Sequence, residues 1–211
     1  MYLYAVSSLL SGATSILYDG SPSVPSLSGF LKMLSTIKLT HFGTSAHYLA
    51  LLEQAGVDKA NLPDFSHLEV ITSTGSVLAE SQYHWVYRTF GPVQLSSIAG
   101  GTDIAGACTS DTLERFLDHQ LIVTLVVGGA PILPVYAGWC QARVLGMKVQ
   151  IFSEEGEAIE DTGRAGELVC TAPFPSQPAF FWADPEGQKY RAAYLKQYHG
   201  MCYPHIWGVL R

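Results

Sequence analysis

The chain has 211 residues, of which 48% are hydrophobic and 14% charged, and it carries 20 glycines and 11 prolines. That balance argues against intrinsic disorder and supplies enough apolar surface for one large folded unit with many tight connections. A net charge of −6 with no Lys/Arg cluster argues against a surface that tracks a nucleic-acid backbone, so no nucleic-acid partner is expected.

The amino-terminal stretch MYLYAVSSLLSGATS lacks a basic flank, so it does not read as a secretory signal. Tyr4 to Leu10 follows helical spacing, and TSILYD (Thr14 to Asp19) reads as a short strand ending in a Gly-Ser-Pro turn. After Pro25, the apolar positions Leu27, Phe30, Leu31, Leu34 and Ile37 predict a helix, and LTHFG (Leu39 to Gly43) predicts a strand. Ser45 is placed to cap a helix carrying Tyr48, Leu51 and Leu52. LEVITST (Leu68 to Thr74) is the next strand. Ala79 to Phe90 sets Tyr83, Val86, Tyr87 and Phe90 on one helical face, and Gly91-Pro92 stops that helix before the strand VQLSSIA (Val93 to Ala99).

Alternation of this kind predicts an α/β fold, part of a doubly wound, mainly parallel sheet with helices on both faces. Beyond Tyr136 the pattern becomes β-rich: ARVLGMKVQIFS and GELVCTAP flank an acidic, glycine-containing turn from Glu154 to Gly166, which predicts a small antiparallel region. Asp184-Pro185 supplies an N-cap and a first-turn proline for a helix from Gln188 to Tyr198. The longest uncharged run, residues 121–140, is broken by Gly128, Gly129, Pro131 and Pro134, which rejects a membrane-spanning helix. Cys108, Cys140, Cys170 and Cys202 form no CxxC pair, so they read as buried thiols of a cytoplasmic protein rather than as zinc or disulfide sites.

In an open parallel sheet, ligands sit outside the carboxyl ends of the strands. Three loops fall there: Gly43-Thr44-Ser45, Ser73-Thr74-Gly75-Ser76 and Gly100-Gly101-Thr102-Asp103. They offer backbone N–H groups, hydroxyls and one carboxylate, an inventory suited to a phosphate and a divalent cation. Each glycine also has the simpler reading of a turn residue. Gly43 to His47 is a poor match to a nucleophile elbow, because His47 stands where the second glycine is needed, and the helix-cap reading of Ser45 is preferred. None of the seven histidines forms an i, i+4 metal-binding pair.

The order of these loops resembles that of the acyl-adenylate-forming ligases, and within them the acetoacetyl-CoA synthetase family. LYDGSP (Leu17 to Pro22), HFGTSAHYL (His41 to Leu49), ITSTGSVL (Ile71 to Leu78), SIAGGTDI (Ser97 to Ile104), PVYAGWCQARVLGMKV (Pro134 to Val149), GELVCTAPFPSQPAFFW (Gly166 to Trp182) and DPEGQKYRAAY (Asp184 to Tyr194) carry the resemblance. It implies that acetoacetate attacks the α-phosphate of ATP, giving an acyl-adenylate and pyrophosphate, and that CoA then displaces AMP. Gly75, Ser76, Val77 and Leu78 match the family's adenine loop, and Gly100 and Gly101 lead into Thr102, which matches the α-phosphate contact. Asp103 stands where the family has the acidic residue that assists magnesium. Gly43, Thr44 and Ser45 match the segment lining the acyl pocket.

Ala99 stands where the broad superfamily has an aromatic residue, as it does in the acetoacetyl branch, and Val77 replaces a common proline. The resemblance assigns residues 1–138 to the α/β part of the large domain, 139–201 to its β-rich part and following helix, and 202–211 to a divergent tail. The family's lysine-bearing phosphate loop falls before residue 1, and its C-terminal lid domain falls beyond the resemblance. The expectation is a fragment incomplete for catalysis, with a non-catalytic nucleotide-binding or partner-binding remnant as the alternative. Residues 109–126 interrupt the family pattern; they read either as a helix, with Asp111 and Glu114 as a capping box, or as a translated retained intron.

Overall fold

The computed structural model describes Ser8 and residues 12–101, 106–110, 135–138, 142–143, 147–174, 177–196, 198 and 206–210. The elements in chain order are α1 (Leu27–Thr36), β1 (His41–Ser45), α2 (Ala46–Gln54), β2 (Val70–Thr74), α3 (Glu80–Phe90), β3 (Gln94–Gly101), β4 (Gly106–Ser110), β5 (Ala142–Arg143), β6 (Val149–Phe152), β7 (Gly166–Cys170), α4 (Gln188–Tyr194) and β8 (Ile206–Leu210). β1 to β5 lie side by side in that order in one sheet, and β6, β7 and β8 form a second. This is the predicted α/β class: β1, β2 and β3 are parallel, and the second sheet is antiparallel throughout.

Strand registration follows from where the apolar residues fall. Phe42 pairs with Ile71, and Ile71 with Leu95, so one face of the parallel sheet presents a continuous apolar row. That row joins Leu31 and Leu34 of α1, Leu49 and Leu52 of α2, and Tyr83 and Val86 of α3 in a single core. Both crossovers advance the same way across the sheet. Right-handed connections therefore carry α2 and α3 to the same side. Helices on both faces were expected; among the described residues the helical core lies on the Phe42 face, while Thr72 and Ser96 are buried on the opposite one.

Local chemistry sets the helix boundaries. The Ser26 hydroxyl accepts from Gly29 N at 3.0 Å to start α1, and the Ser45 hydroxyl accepts from Tyr48 N at 3.1 Å to start α2. Gly91, at φ +84, closes α3 as the Gly-Pro pair predicts. The buried Gln82 ties two helix starts together. Its amide carbonyl accepts from Ala79 N at 3.1 Å and its Nε2 donates to Ala46 O at 3.0 Å.

Two expectations change. Thr14 to Asp19 is not a strand: no partner strand flanks it among the described residues, and Ile16 and Leu17 are exposed. The Gln188 helix is shorter than predicted and takes Gly187, at φ +65, as its N-cap, not Asp184. Asp184 still serves that helix, because its carboxylate accepts from Tyr190 N at 2.9 Å. Within residues 202–211, Ile206–Leu210 pairs with β7.

In the second sheet, Gly166 is required by close approach: a Cβ there would strike the carbonyl oxygen of Phe152 on β6. Phe152 meets Tyr198 edge to face at 5.5 Å, and Tyr198 donates to Glu167 Oε2 at 3.1 Å. Residues 102–105 and 111–134 lie outside the described residues, so the helix reading of 109–126 does too, apart from Thr109 and Ser110 at the end of β4. The predicted helix at Tyr4 to Leu10 also falls outside, Ser8 excepted.

Two outcomes follow. Replacing Gln82 by Ala strips partners from Ala79 N and Ala46 O together, so urea denaturation should show a loss of about 2 to 3 kcal/mol. At Asp184, loss of hydration works upward but is outweighed by the N–H groups of Tyr190, Lys189 and Gln188, which hold its carboxyl below the ordinary aspartate value. A carboxyl held lower in the folded chain stabilises above its unfolded pKa, and that contribution disappears as pH falls through the lowered folded value. The Tyr190 amide resonance should therefore titrate with a midpoint below the ordinary aspartate value, and Asp184→Asn should abolish that titration.

Candidate functional site

Parallel pairing brings the carboxyl ends of β1, β2 and β3 to one edge. Ser45 aligns with Thr74, and Ser73 aligns with both Thr44 and Ser97. Two of the three predicted loops, Gly43-Thr44-Ser45 and Ser73 to Leu78, are thereby adjacent, and Gly100 and Gly101 continue β3 at the same edge. Thr102 and Asp103 lie outside the described residues. Their flanks do not, and Gly101 pairs with Gly106 across the start of a hairpin.

β3 changes partner along its length. Gln94 to Ser97 pair in parallel with β2, whereas Ile98 to Gly101 pair antiparallel with β4, with a register shift between Ala99 and Gly100. Bulges of this kind re-aim the chain and are common beside functional sites. The Thr74 hydroxyl fastens the junction by donating to Ile98 O at 2.9 Å.

The Gly75 to Leu78 loop is built for backbone exposure. Gly75 sits at φ +87, a conformation that costs a side-chain-bearing residue about 1 to 2 kcal/mol. Ser76 and Val77 are exposed, Val77 at 66%, while Leu78 at 1% anchors the loop in the core ahead of α3. The main chain between Thr74 and Leu78 thus stands at the surface with its end fixed.

Gly43 is exposed, and Thr44 and Ser45 are half-buried. The Ser45 oxygen is occupied as the α2 cap, as predicted, and no histidine or carboxylate is bonded to it among the described residues. Beneath this edge Ser73 is fully buried, and its hydroxyl has no hydrogen-bond partner among the described residues. The Tyr48 hydroxyl is likewise unpartnered, and burial pushes its pKa up to about 12, so it stays protonated. No group of three His, Cys, Asp or Glu side chains that could hold a metal occurs among the described residues. Asp103, which the sequence resemblance sets toward magnesium, lies outside those residues.

Sequence reasoning passed over two contributors. Gln82 holds the starts of α2 and α3 together behind both loops; a glutamine three residues after a helix start was the readable signal. The segment Val135 to Gly138 comes back to the same helix start. Val135 and Ala137 pack on the core, and a Cβ added to Gly138 would meet Glu80 Cβ at 3.6 Å. No pattern in residues 134–138 signals that approach.

No family model matches the chain. It is similar to the acetoacetyl-CoA synthetase of Xenopus tropicalis, 40% identical over 202 residues covering 95% of this chain and 27% of that protein. The acetoacetyl-coenzyme A synthetase of Rhizobium meliloti (strain 1021) is 39% identical over 199 residues, covering 94% of this chain and 28% of that protein. Among solved structures, an acetoacetyl-CoA synthetase from Streptomyces lividans superposes with a TM-score of 0.75 at 34% identity, over 93% of this chain and 28% of that one. The anthranilate CoA ligase AuaEII, solved with anthranoyl-AMP, shares the fold at a TM-score of 0.65 and 20% identity, over 88% of this chain and 30% of its own. The chain thus spans 27 to 28% of the length of these two curated relatives. Identity at this level along nearly its whole length, on a matching fold, makes the chain similar to one segment of the longer acetoacetyl-CoA synthetases.

Proposed function

We propose that this chain carries the nucleotide-binding edge of a ligase that joins acetoacetate to ATP as an acyl-adenylate, releasing pyrophosphate, and passes the acyl group to CoA with release of AMP. The observation that carries the proposal is the meeting, at one edge of β1, β2 and β3, of loops that match the family's acyl-pocket and adenine segments, with the phosphate loop continuing from β3. In this reading the backbone of Gly75, Ser76, Val77 and Leu78 faces adenine. Gly100 and Gly101 deliver Thr102 at the end of β3, and its hydroxyl faces the α-phosphate, where donors aimed at developing charge act most strongly.

Gly43, Thr44 and Ser45 form the wall for the short acyl chain, Ser45 as a helix cap and not as a nucleophile. Asp103 would hold magnesium, which supplies charge neutralisation on the phosphates when bound. The remaining task for this segment is alignment, holding two anionic reactants within reach of each other. The four cysteines with no CxxC pair support placing the reaction in the cytoplasm.

Calorimetry with ATP and AMP tests the proposal directly: the 211-residue chain should bind both saturably, and no saturable binding refutes it. Thr102→Val removes one donor to the phosphate and should weaken AMP binding by roughly tenfold. Gly75→Ala, forced out of the left-handed region, should weaken it several-fold while leaving the unfolding transition cooperative. Acetoacetate-dependent exchange of pyrophosphate into ATP separates the two roles. Binding without exchange identifies a nucleotide-binding segment, and binding with exchange identifies a catalytic one.

A further inference from the structure

At the opposite end of the parallel sheet, where β2 and β3 begin, lies a cleft of about 520 Å³ whose lining includes Phe65, Leu68, Glu69, Phe90, Pro92 and Gln94. Its walls are rigid. Phe65 meets Phe90 edge to face at 5.6 Å, and Trp85 braces Phe90 at 5.9 Å while donating from its indole to Val57 O. The main chain at the rim is fixed as well: Gln94 N donates to Glu69 O at 2.7 Å, Glu69 N to Thr40 O at 2.8 Å, and Ser66 N to Asp64 Oδ1 at 2.9 Å.

Two features of this end favour positive charge. Glu69 is the sole charged residue of the lining; it is exposed, and its carboxylate has no partner among the described residues, so it is free to turn over the mouth. α3 also ends at the cleft, with Phe90 as its last residue, and the negative end of a helix dipole favours a cation near the last turn. Arg88, the basic residue of that turn, is exposed and outside the lining. Apolar surface is within reach in the same lining, since Phe90 is half-buried and Pro92 exposed. Gln94 Nε2 is buried and takes no part. The volume lies within the range of small-molecule sites.

We propose that this cleft binds a small primary ammonium ion with an apolar body, its N–H groups donating to the Glu69 carboxylate and its body laid on Phe90 and Pro92. An anion is disfavoured twice, by Glu69 and by the helix end. A metal ion finds a single carboxylate, and no group of three His, Cys, Asp or Glu side chains that could hold one occurs among the described residues. A neutral apolar molecule gains the ring contact and nothing from Glu69. An ammonium ion gains both, through a charge-assisted hydrogen bond and through apolar surface withdrawn from water. The cleft lies across the length of the strands from Gly75 and Gly100, so the proposal stands independently of the nucleotide reading.

Titration of the ¹⁵N-labelled full chain with phenethylammonium chloride tests it, with 2-phenylethanol as the neutral molecule of nearly the same shape. Saturable shifts of the main-chain amides of Glu69, Phe90 and Gln94 are expected below about 10 mM amine, with AMP failing to compete. The alcohol should bind roughly tenfold more weakly, and salt at about 0.5 M should close most of that gap. Glu69→Gln keeps the length of an exposed side chain while removing its charge, and it should bring the amine down to the affinity of the alcohol. Absence of saturation, shifts confined to Gly75 to Leu78, or equal affinity for amine and alcohol in the wild-type chain overturns the proposal. So does undiminished amine binding in Glu69→Gln. Should that variant fail to fold, the amine–alcohol comparison in the wild-type chain and its salt dependence decide.

Discussion

Everything in the larger unit hangs on one lateral alignment, Phe42 beside Ile71 beside Leu95. A single-residue slip in either pairing would turn one strand's apolar set out of the core and its polar set in. Because α1, α2 and α3 all bury their apolar faces on this row, the cost of such a slip is felt in every helix at once. The alignment therefore has no competitor of comparable burial. Strand ends whose relative heights are fixed this way can present loops at a defined edge.

The same alignment explains why small hydroxyl residues crowd that edge. Thr44, Ser73 and Ser97 stand in one row and Thr72 beside Ser96 in another, where apolar residues of similar position would have extended the core. Keeping those side chains short leaves room over the strand ends. Ser73 bears a cost for this, with a buried hydroxyl that no described residue meets. Gln82 offsets part of the looseness by cross-linking the helix starts that follow β1 and β2.

Much of this architecture was legible because local and tertiary signals agree. Leu27 to Ile37 and Ala79 to Phe90 combine helical periodicity with caps or stops, and both form helices. Ser45 reads as a cap from its type and position and is one. Where the two kinds of signal part, the sequence reading misses. Thr14 to Asp19 has strand-like composition, but strand formation needs a neighbour, and none flanks it among the described residues. Asp184 has the right chemistry for a cap, yet the chain turns through Gly187 before the helix begins, so the carboxylate works from outside the first turn. The switch of β3 from a parallel to an antiparallel partner leaves no mark on the alternation of Val93 to Ala99, because both pairings accept the same period. At the candidate site, loop positions could be read from glycine placement. Gln82 and the return of Val135 to Gly138 depend on contacts remote in sequence.

The double membership of β3 bears on which changes in chain length the protein can absorb. Losing or gaining one residue between Ser97 and Gly100 cannot be taken up upstream, where β2 fixes the strand, or downstream, where β4 does. Either would invert the carbonyl and amide directions of Gly100 and Gly101 at the entry to the loop holding Thr102. Between β6 and β7 the exposed tip at Glu154 and Glu155 has room to lengthen, although buried Ser153 and Ile159 and the bridge from Ala158 to Phe152 hold the rest of that turn. Insertions should thus be scarce in the first segment and common at that tip, however far the surrounding sequence drifts.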